Sequence, residues 1–311
     1  MNELVAPLVA KHARRLWGVC FRMTGNGADA DDLVQETFLR AVERPPEKKD
    51  EPWEPWLLTV AMNLSRDALR KRKRRSYVGP WLPTPVDDAE WIAPEVEGEA
   101  GTEGKYDIFE SVTLAFLLAL EVLSVNERAV VVLRDVFDRS VRETADALQM
   151  SEANVKVIHH RARAKLAPYD QARDAESTHA QKTKCTQEAL QRFLAALSSG
   201  NEADLVKLFA LDVESLSDGG GHYFAAKIVV IGAERVAKML ATILRKSTPV
   251  TRADIRSVNA TPTLVGERGN AHRGEAPFFT MSCDVDRAGK ITRVYTVLAP
   301  AKLAKVATFA T

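Results

Sequence analysis

Cysteine is scarce in this sequence, since its 311 residues include only three, Cys20, Cys185 and Cys283, far apart along the chain. They form no CxxC pair or other ligand-type spacing, so we expect neither a disulfide framework nor a zinc ribbon. Long apolar runs are also absent, because the longest, residues 113–123, is broken by Glu121 and is too short to span a bilayer. The charged N-terminus shows no signal peptide. These absences favour a cytoplasmic protein with no membrane segment, no metal and no other cofactor.

An excess of charge of one sign is missing as well, because 43 Lys and Arg residues face 42 Asp and Glu residues. The charge is nevertheless uneven along the chain. Residues 70–75 are six consecutive basic residues, whereas residues 79–108 are acidic and rich in proline and glycine. A segment of that composition cannot bury a core, which is typical of a linker. Residues 169–184 are polar and weakly patterned, which predicts a second linker.

The length allows two or three small domains between and beside these linkers. The spacing of the hydrophobic residues is typical of helices before residue 79 and again over residues 109–168. After residue 185 the sequence becomes rich in segments typical of strands. The sequence therefore predicts five parts: a first helical domain (1–78), an acidic linker (79–108), a second helical domain (109–168), a linker (169–184) and a C-terminal α+β domain (185–311).

The first helical domain contains an amphipathic helix over residues 29–42. Val34, Phe38 and Val42 share one stripe at helical spacing, which predicts the buried side. A second face is acidic and polar and consists of Asp29, Asp32, Gln35 and Glu36. That face is either a solvated surface or a docking surface.

A second helix is expected from Trp56 to Ser76, and it ends in the basic run. Its polar side presents Asn63 and Arg66 before the basic side chains Arg70, Lys71, Arg72, Arg74 and Arg75. Cations neutralise phosphates, and the aromatic rings of Trp53 and Trp56 could stack on unpaired bases. The alternative is a solvated basic tail beside two core tryptophans.

The second helical domain has two capping boxes, Ser124–Glu127 and Ser140–Glu143, which fix two helix starts. A further helix opens after Ser151, and its outer side is polar and basic. A short helix, a tight turn and a basic helix form the layout of a helix-turn-helix, whose second helix enters the major groove. The alternative is an ordinary three-helix packing unit. The candidate DNA contacts are Asn154, Lys156, His160, Arg161 and Arg163.

The C-terminal domain begins with helices and continues with strands joined by glycine turns, which predicts a cone-shaped α+β roll. The sequence Asp218–Gly221 reads as a turn, because a phosphate-binding loop would need a lysine and a helix after its glycines. The titratable side chains form no recognisable catalytic group, so we expect no catalytic residue; they are Asp212, Asp218, His222, His272 and Asp284.

The order and spacing of these motifs resemble the bacterial extracytoplasmic-function (ECF) sigma factors. Residues 29–38 resemble the helix that binds core RNA polymerase, residues 56–67 with the basic run resemble the promoter-melting helix, and residues 155–163 resemble the helix that reads the minus-35 element. The resemblance implies core RNA polymerase and promoter DNA as partners. It also implies polymerase contacts on the acidic face of residues 29–36 and DNA contacts at the polar side chains named above.

A subgroup of that family carries a fused SnoaL-like domain, and two segments resemble it. They are the apolar linker residues Trp81, Leu82, Pro83 and Pro85, and the turn residues Asp218, Gly219, Gly220 and Gly221. The resemblance implies that these segments make regulatory contacts within the chain, and it leaves the direction of regulation open. The chain departs from the family pattern at Gln149, at residues 157–159 and at His222. Because the roll also resembles a superfamily that includes enzymes, a ligand sensor or an isomerase- or hydrolase-like enzyme is the alternative function.

Overall fold

A computed structural model of the chain describes residues 5–47, 52–72, 77–91, 105–172, 178–306 and 309. The chain divides into two compact units. The first comprises Met1–Ser76 with Ala89–Gln171, and the second comprises Tyr77–Asp88 with Ala172–Thr311. The two predicted helical domains therefore share one unit. Tyr77–Asp88, which contains the end of the predicted first domain and the first part of the predicted acidic linker, belongs instead to the unit that contains the C-terminal roll.

Three helices build the first helical domain: α1 (Val5–Thr24), α2 (Gly27–Glu43) and α3 (Trp53–Arg72). Helix α2 begins where it does because the Asn26 side chain accepts hydrogen bonds from two backbone N–H groups of the first turn. The helices pack together around Trp17, Phe21, Phe38 and Leu57, among other buried side chains. Val42, expected in the buried stripe, is 45% exposed, because α2 buries Leu33, Thr37 and Ala41 instead.

The chain continues through one helical turn, α4 (Asp88–Trp91), to the second helical domain. Its helices are α5 (Leu114–Ala119), α6 (Val125–Val131), α7 (Val141–Leu148) and α8 (Glu152–Ala172). Short 3-10 segments at Glu110–Val112 and Leu120–Val122 and a π-helical turn at Val132–Val136 join them. Both predicted capping boxes form, with Ser124 and Ser140 as the caps. Helices α6 and α7 pack against α3 of the first domain.

Two predicted linker boundaries are wrong. Tyr106, placed in the acidic linker, is fully buried, and its N–H donates to the Asp135 carbonyl oxygen at 2.9 Å. The linker predicted over residues 169–184 contains the end of α8 at Ala172 and the start of the next helix at His179. In both places the polar composition suggested a linker where the structure has a helix or a buried side chain. One buried aromatic ring or one capping residue is enough to fix the conformation of a polar segment.

The C-terminal roll consists of a six-stranded sheet with helices on one face. In chain order its elements are α9 (His179–Ser199), α10 (Glu202–Leu208), β1 (Phe209–Asp218), β2 (Val230–Ile231), α11 (Ala233–Lys246), β3 (Val250–Val258), β4 (Thr261–Arg268), β5 (Phe278–Val285), β6 (Ile291–Val297) and α12 (Pro300–Leu303). The strand order is β2-β1-β6-β5-β4-β3, in which β1 and β6 are parallel and the other pairs antiparallel. The core lies between α9–α11 and the sheet. This confirms the predicted α+β class, although β2 and α12 were not predicted.

Candidate functional site

The polar face of α2 is partly exposed. Asp32 and Gln35 are exposed, and Asp29 and Glu36 are half-buried. Glu36 accepts a hydrogen bond from Arg40 at 3.0 Å, which is an ordinary surface ion pair. Leu39 lies on the same side, one turn beyond Gln35 and Glu36, and is 56% exposed. The face is therefore acidic with an apolar end, and sequence reasoning missed Leu39 because helical periodicity alone did not separate it from the core.

The polar side of α3 meets the second helical domain rather than solvent at Arg66. The Arg66 guanidinium donates to the Asn126 side-chain oxygen at 2.9 and 3.2 Å and to the Leu148 carbonyl oxygen at 3.3 Å. It also donates to the Asn63 side chain at 3.2 Å. The structure thus brings Asn63 and Arg66 together, and it engages Arg66 with residues from two helices of the second helical domain.

Arg72, at the described end of α3, is engaged in the same way. Its guanidinium donates to both carboxylate oxygens of Glu121 at 2.7 and 2.8 Å. Arg128, only 2% exposed, donates to the same carboxylate at 2.8 Å and to the Met23 carbonyl oxygen at 2.9 Å. Burial alone would raise the pKa of the Glu121 carboxyl, but Arg128 and Arg72 outweigh it and hold that pKa below its ordinary value. Two arginines thus share one carboxylate at the junction of the helical domains.

The remaining candidates in this part of the chain are less constrained. Arg70 forms an exposed pair with Asp67 at 2.8 Å, and Lys71 is exposed. Arg74 and Arg75 lie outside the described residues. Trp53 and Trp56 are half-buried and meet edge to face at 6.2 Å between ring centroids. The candidate DNA surface of α3 is therefore partly open and partly covered by the second helical domain.

Helix α8 presents most of its candidate DNA contacts to solvent. The Ser151 hydroxyl accepts the Asn154 N–H at 3.2 Å, which caps the helix. The outer side chains Asn154, Lys156, His160 and Arg161 are exposed. Arg163 is an exception to the prediction, because it is half-buried and its Nη1 lies 3.6 Å from Asp135 Oδ1.

The roll binds the linker through the buried carboxylate of Asp218. Asp218 accepts hydrogen bonds from the Tyr77 hydroxyl at 2.6 Å, the Leu82 N–H at 2.8 Å and the Lys302 ammonium at 2.6 Å. It also accepts the Gly220 N–H at 3.0 Å. The carboxylate is fully buried, so these four donors replace the water it lost. We call Asp218 and the groups bound to it the linker clamp.

Lys302 of α12 completes the clamp, although sequence reasoning did not select it. Its side chain is buried, donates to the Leu82 carbonyl oxygen, and lies 4.5 Å from the Trp81 ring centroid and 4.9 Å from that of Tyr77. A buried ammonium needs such partners, since an isolated charge is costly to bury. The available signal was a lone lysine in the apolar segment Ala299–Leu303.

The glycines of the turn pack closely against the rest of the roll. A Cβ added to Gly219 would lie 2.7 Å from the Tyr223 carbonyl oxygen. Gly220 has φ +57°, and an added Cβ would lie 2.9 Å from that of Ala299. Gly221 has φ +79° and contacts Val78. Gly219 therefore needs the small size of glycine, Gly221 its conformational freedom, and Gly220 both.

A second attachment joins the linker to the β3–β4 turn. Val86 exchanges two hydrogen bonds with Asn259, its N–H donating to the side chain at 2.9 Å and its carbonyl accepting the Asn259 N–H at 3.0 Å. Asp88 accepts the Ser257 hydroxyl at 2.5 Å and the Ala260 N–H at 2.9 Å. Leu82, Pro83 and Pro85 between the two attachments are buried, and Trp81 is half-buried. Burial raises the pKa of the Asp88 carboxyl above its ordinary value, although the hydrogen bonds from Ala260 and Ser257 oppose the rise.

The other titratable side chains of the roll do not assemble into one group. Asp284 accepts the buried Tyr295 hydroxyl at 2.5 Å, and burial raises its pKa. The His272 backbone N–H donates to Thr248 and Glu275 in an exposed turn, and Asp212 and His222 are exposed. Among the described residues, no group of three His, Cys, Asp or Glu side chains could hold a metal ion. No described helix is long and apolar enough to cross a membrane.

Both helical domains and the roll are similar to parts of known proteins. Residues 8–75 match the family model for sigma-70 region 2, and residues 113–166 match that for sigma-70 region 4. The ECF RNA polymerase sigma factor SigJ of Mycobacterium tuberculosis is 28% identical over 304 residues, which are 93% of this chain and 90% of SigJ. The ECF sigma factor SigG of the same organism is 33% identical over 70% of this chain and 63% of SigG. The crystal structure of SigJ matches at TM-score 0.73 and 26% identity, covering 97% of this chain and 98% of that one.

Proposed function

The chain belongs to the ECF sigma factors that carry a C-terminal SnoaL-like domain, and on that premise we propose that its own roll restrains the linker between the two sigma domains and thereby controls initiation. As an alternative sigma factor, it directs core RNA polymerase to specific promoters. The observation that carries the proposal is the linker clamp, in which buried Asp218 accepts the Leu82 N–H and buried Lys302 donates to the Leu82 carbonyl oxygen. These partners are found in the cytoplasm, where we propose that the protein acts.

Polymerase binding is assigned to the exposed face of α2. Asp32, Gln35 and Glu36 supply negative and polar groups, with Asp29 at the start of the helix, and Leu39 adds apolar area. Charged side chains of this kind contribute little to the stability of the fold, since they are solvated in the free chain. Their role is to attract and orient a basic partner surface, while Leu39 contributes area that becomes buried on binding.

Promoter binding is assigned to α3 and α8, and it requires the first unit to open. Arg66 and Arg72 are used within the unit, where Asn126 and Glu121 accept their hydrogen bonds. An arginine that already has a carboxylate partner cannot also neutralise a phosphate without giving up that partner. The described arrangement is therefore a closed state, and separating the two sigma domains frees the promoter-binding side chains.

The roll opposes that separation by shortening the tether between the sigma domains. Residues 77–88 lie on the roll, although fully extended they would span up to about 40 Å. A linker that is bound at both Asp218 and the β3–β4 turn cannot contribute that length. Releasing it extends the reach between the sigma domains, so the equilibrium between closed and open states depends on how tightly the roll holds the linker.

An enzyme or a ligand sensor that acts through the roll is the alternative, and the contacts favour it less. Asp218 is committed to four donors of the linker clamp, and Asp284 is bonded to the buried Tyr295 hydroxyl. A general base needs a carboxylate or imidazole that is within reach of a substrate. We therefore assign the roll a regulatory role and no catalytic step.

Transcription with purified core RNA polymerase tests this function. The full chain is expected to give promoter-specific transcripts, and failure to bind core polymerase would contradict the sigma-factor assignment itself. Trp81→Ala removes one ring from Lys302, so it should loosen the linker, raise transcript yield and expose the linker to protease. Lys238→Ala, an exposed position on α11, is the control and should change neither. A Trp81→Ala chain that transcribes and digests like the parent would mean that the roll does not regulate through the linker.

A further inference from the structure

The outer face of α8 has an apolar centre. Val155, Ala162 and Leu166 are buried and define the inner side of the helix. The opposite side, at helical spacing, carries Ala153, Val157 and Ala164, all exposed. Val157 is 48% exposed.

The polar and cationic side chains flank this line instead of occupying it. Lys156 and His160 lie on one side, and Asn154 and Arg161 lie on the other. A single exposed valine is ordinary on a protein surface and needs no explanation. This valine, however, lies in the second turn of the second helix of a helix-turn-helix, the part whose N-terminal residues reach base edges. The flanking cations are placed to meet the phosphates on either side of the groove.

The chemistry of the major groove then restricts what Val157 can recognise. Three of the four bases present only hydrogen-bonding groups there, whereas thymine also presents its C5-methyl group. Val157 has no polar atom, so a donor or acceptor placed against it would lose water without gaining a partner. A thymine methyl is the one group in the groove that gains from contact with the isopropyl group. The small Ala153 and Ala164 let the helix lie close to the base edges.

We propose that Val157 determines specificity by contacting the C5-methyl group of a thymine in the minus-35 element. The proposal deepens the proposed function, on which it rests, because it presumes that α8 reads that element. It predicts a base preference that depends on one methyl group, whereas the flanking cations bind without regard to sequence.

Deoxyuridine provides the test, because it differs from thymidine only by that methyl group. Holoenzyme formed from the full chain and core polymerase is used to select bound duplexes from a random-sequence library. The library is made once with thymidine and once with deoxyuridine in its place. The parent chain should prefer thymine at one minus-35 position by about fourfold, the effect of one buried methyl group, and lose that preference in the deoxyuridine library.

Val157→Ser is the test variant, because it removes both methyl groups of valine and leaves a small polar side chain on an exposed site. It should bind both libraries with the same minus-35 sequence and show the salt dependence of the parent. Val122→Ser, at an exposed valine outside α8, is the matched control and should retain the methyl preference.

Two outcomes would overturn the proposal while leaving the sigma-factor function intact: a parent that selects the same element from both libraries, and a Val157→Ser chain that still distinguishes them. Selection of minus-10 sequence with no preference at minus 35 would instead remove α8 as the reading helix, and this proposal with it. Circular dichroism of both variants confirms that the helices are formed. Val157→Ala, which keeps one methyl group, should show a smaller methyl preference than the parent.

Discussion

Arg72 and Glu121 join the two sigma domains through a pair of hydrogen bonds, at 2.7 and 2.8 Å, from one guanidinium to one carboxylate. Arg72 belongs to the helix assigned to promoter melting, and Glu121 belongs to the domain assigned to the minus-35 element. The same carboxylate holds Arg128, which is almost fully buried. One acidic side chain therefore neutralises two cations, one of which is a proposed DNA contact, and we propose that Glu121 controls opening.

Glu121→Gln should shift the chain toward the open state. The substitution keeps the shape but removes the charge that Arg72 and Arg128 share, which should weaken the closed state by about 1–3 kcal/mol. We expect a higher transcript yield from the same amount of core polymerase and a lower unfolding temperature of the free chain. Glu234→Gln, at an exposed site on α11, is the matched control. A lower transcript yield with unchanged polymerase binding would show that the contact supports initiation instead of blocking it.

Asp88→Asn should make the roll less sensitive to pH. The pKa of Asp88 is raised by burial, so the folded chain binds a proton more readily than the unfolded chain does. The stability contributed by this group is therefore fully present below the ordinary pKa of 3.8 and is lost as the pH rises through the raised value. Asparagine is neutral throughout, and its side-chain oxygen can still accept the Ala260 N–H.

Unfolding temperatures of parent and Asp88→Asn chains between pH 3.5 and about pH 7 measure the effect, and the difference should grow in favour of the variant as the pH rises. Asp88→Ala, which loses the hydrogen bonds as well, should be less stable than the parent at every pH. If Asp88→Asn is destabilising by the same amount at neutral and acidic pH, the hydrogen-bond geometry of Asp88, and not its charge, determines how much it contributes to stability.

The helices could be predicted from sequence because their signals are local. Ser124 and Ser140 cap their helices as their capping boxes indicate, and Gly200 ends α9 in a left-handed conformation. Neither the Arg72–Glu121 pair nor the Lys302–Asp218 pair could be predicted, because their members lie 49 and 84 residues apart. Such pairs depend on how separate elements pack, and spacing along the chain carries no information about that.

The same limit applies to the exposed face of α2. Periodicity placed Val42 inside, yet it is exposed, while Leu39 provides apolar area beside the acidic groups. Amphipathic spacing identifies a helix, but the orientation of its apolar arc depends on the helices against which it packs, here α1 and α3.

Charge reversal on α2 should therefore remove polymerase binding without unfolding the chain. In Asp32→Lys/Glu36→Lys, two carboxylates of this face become cations that a basic partner surface repels. Stability should change by less than about 1 kcal/mol, because surface charges contribute little to it. Leu39→Ala should weaken binding to core polymerase by a smaller factor, since it removes apolar area alone. Competition with the parent chain for core polymerase measures both. The exposed pair Glu188→Lys/Glu234→Lys in the roll changes the net charge by the same amount and is the control. Equal competition by all chains would exclude α2 as the docking helix.

Gln149→Gly should stabilise the turn between α7 and α8 without changing promoter preference. Gln149 has φ +54°, a left-handed conformation that costs a residue with a Cβ about 1–2 kcal/mol. Glycine avoids that cost but loses more backbone freedom on folding, about 0.5–1 kcal/mol, so a net gain of up to about 1.5 kcal/mol is expected. The backbone N–H that closes α7 onto Ala145 and Asp146 is retained. Gln149→Val, with a branched side chain at the same angle, should lower the unfolding temperature while Gln149→Gly raises it. If valine is tolerated and glycine is destabilising, the turn does not adopt the left-handed conformation in solution. The buried side chains of Leu148 and Val155 alone would then determine the orientation of α8 relative to α7.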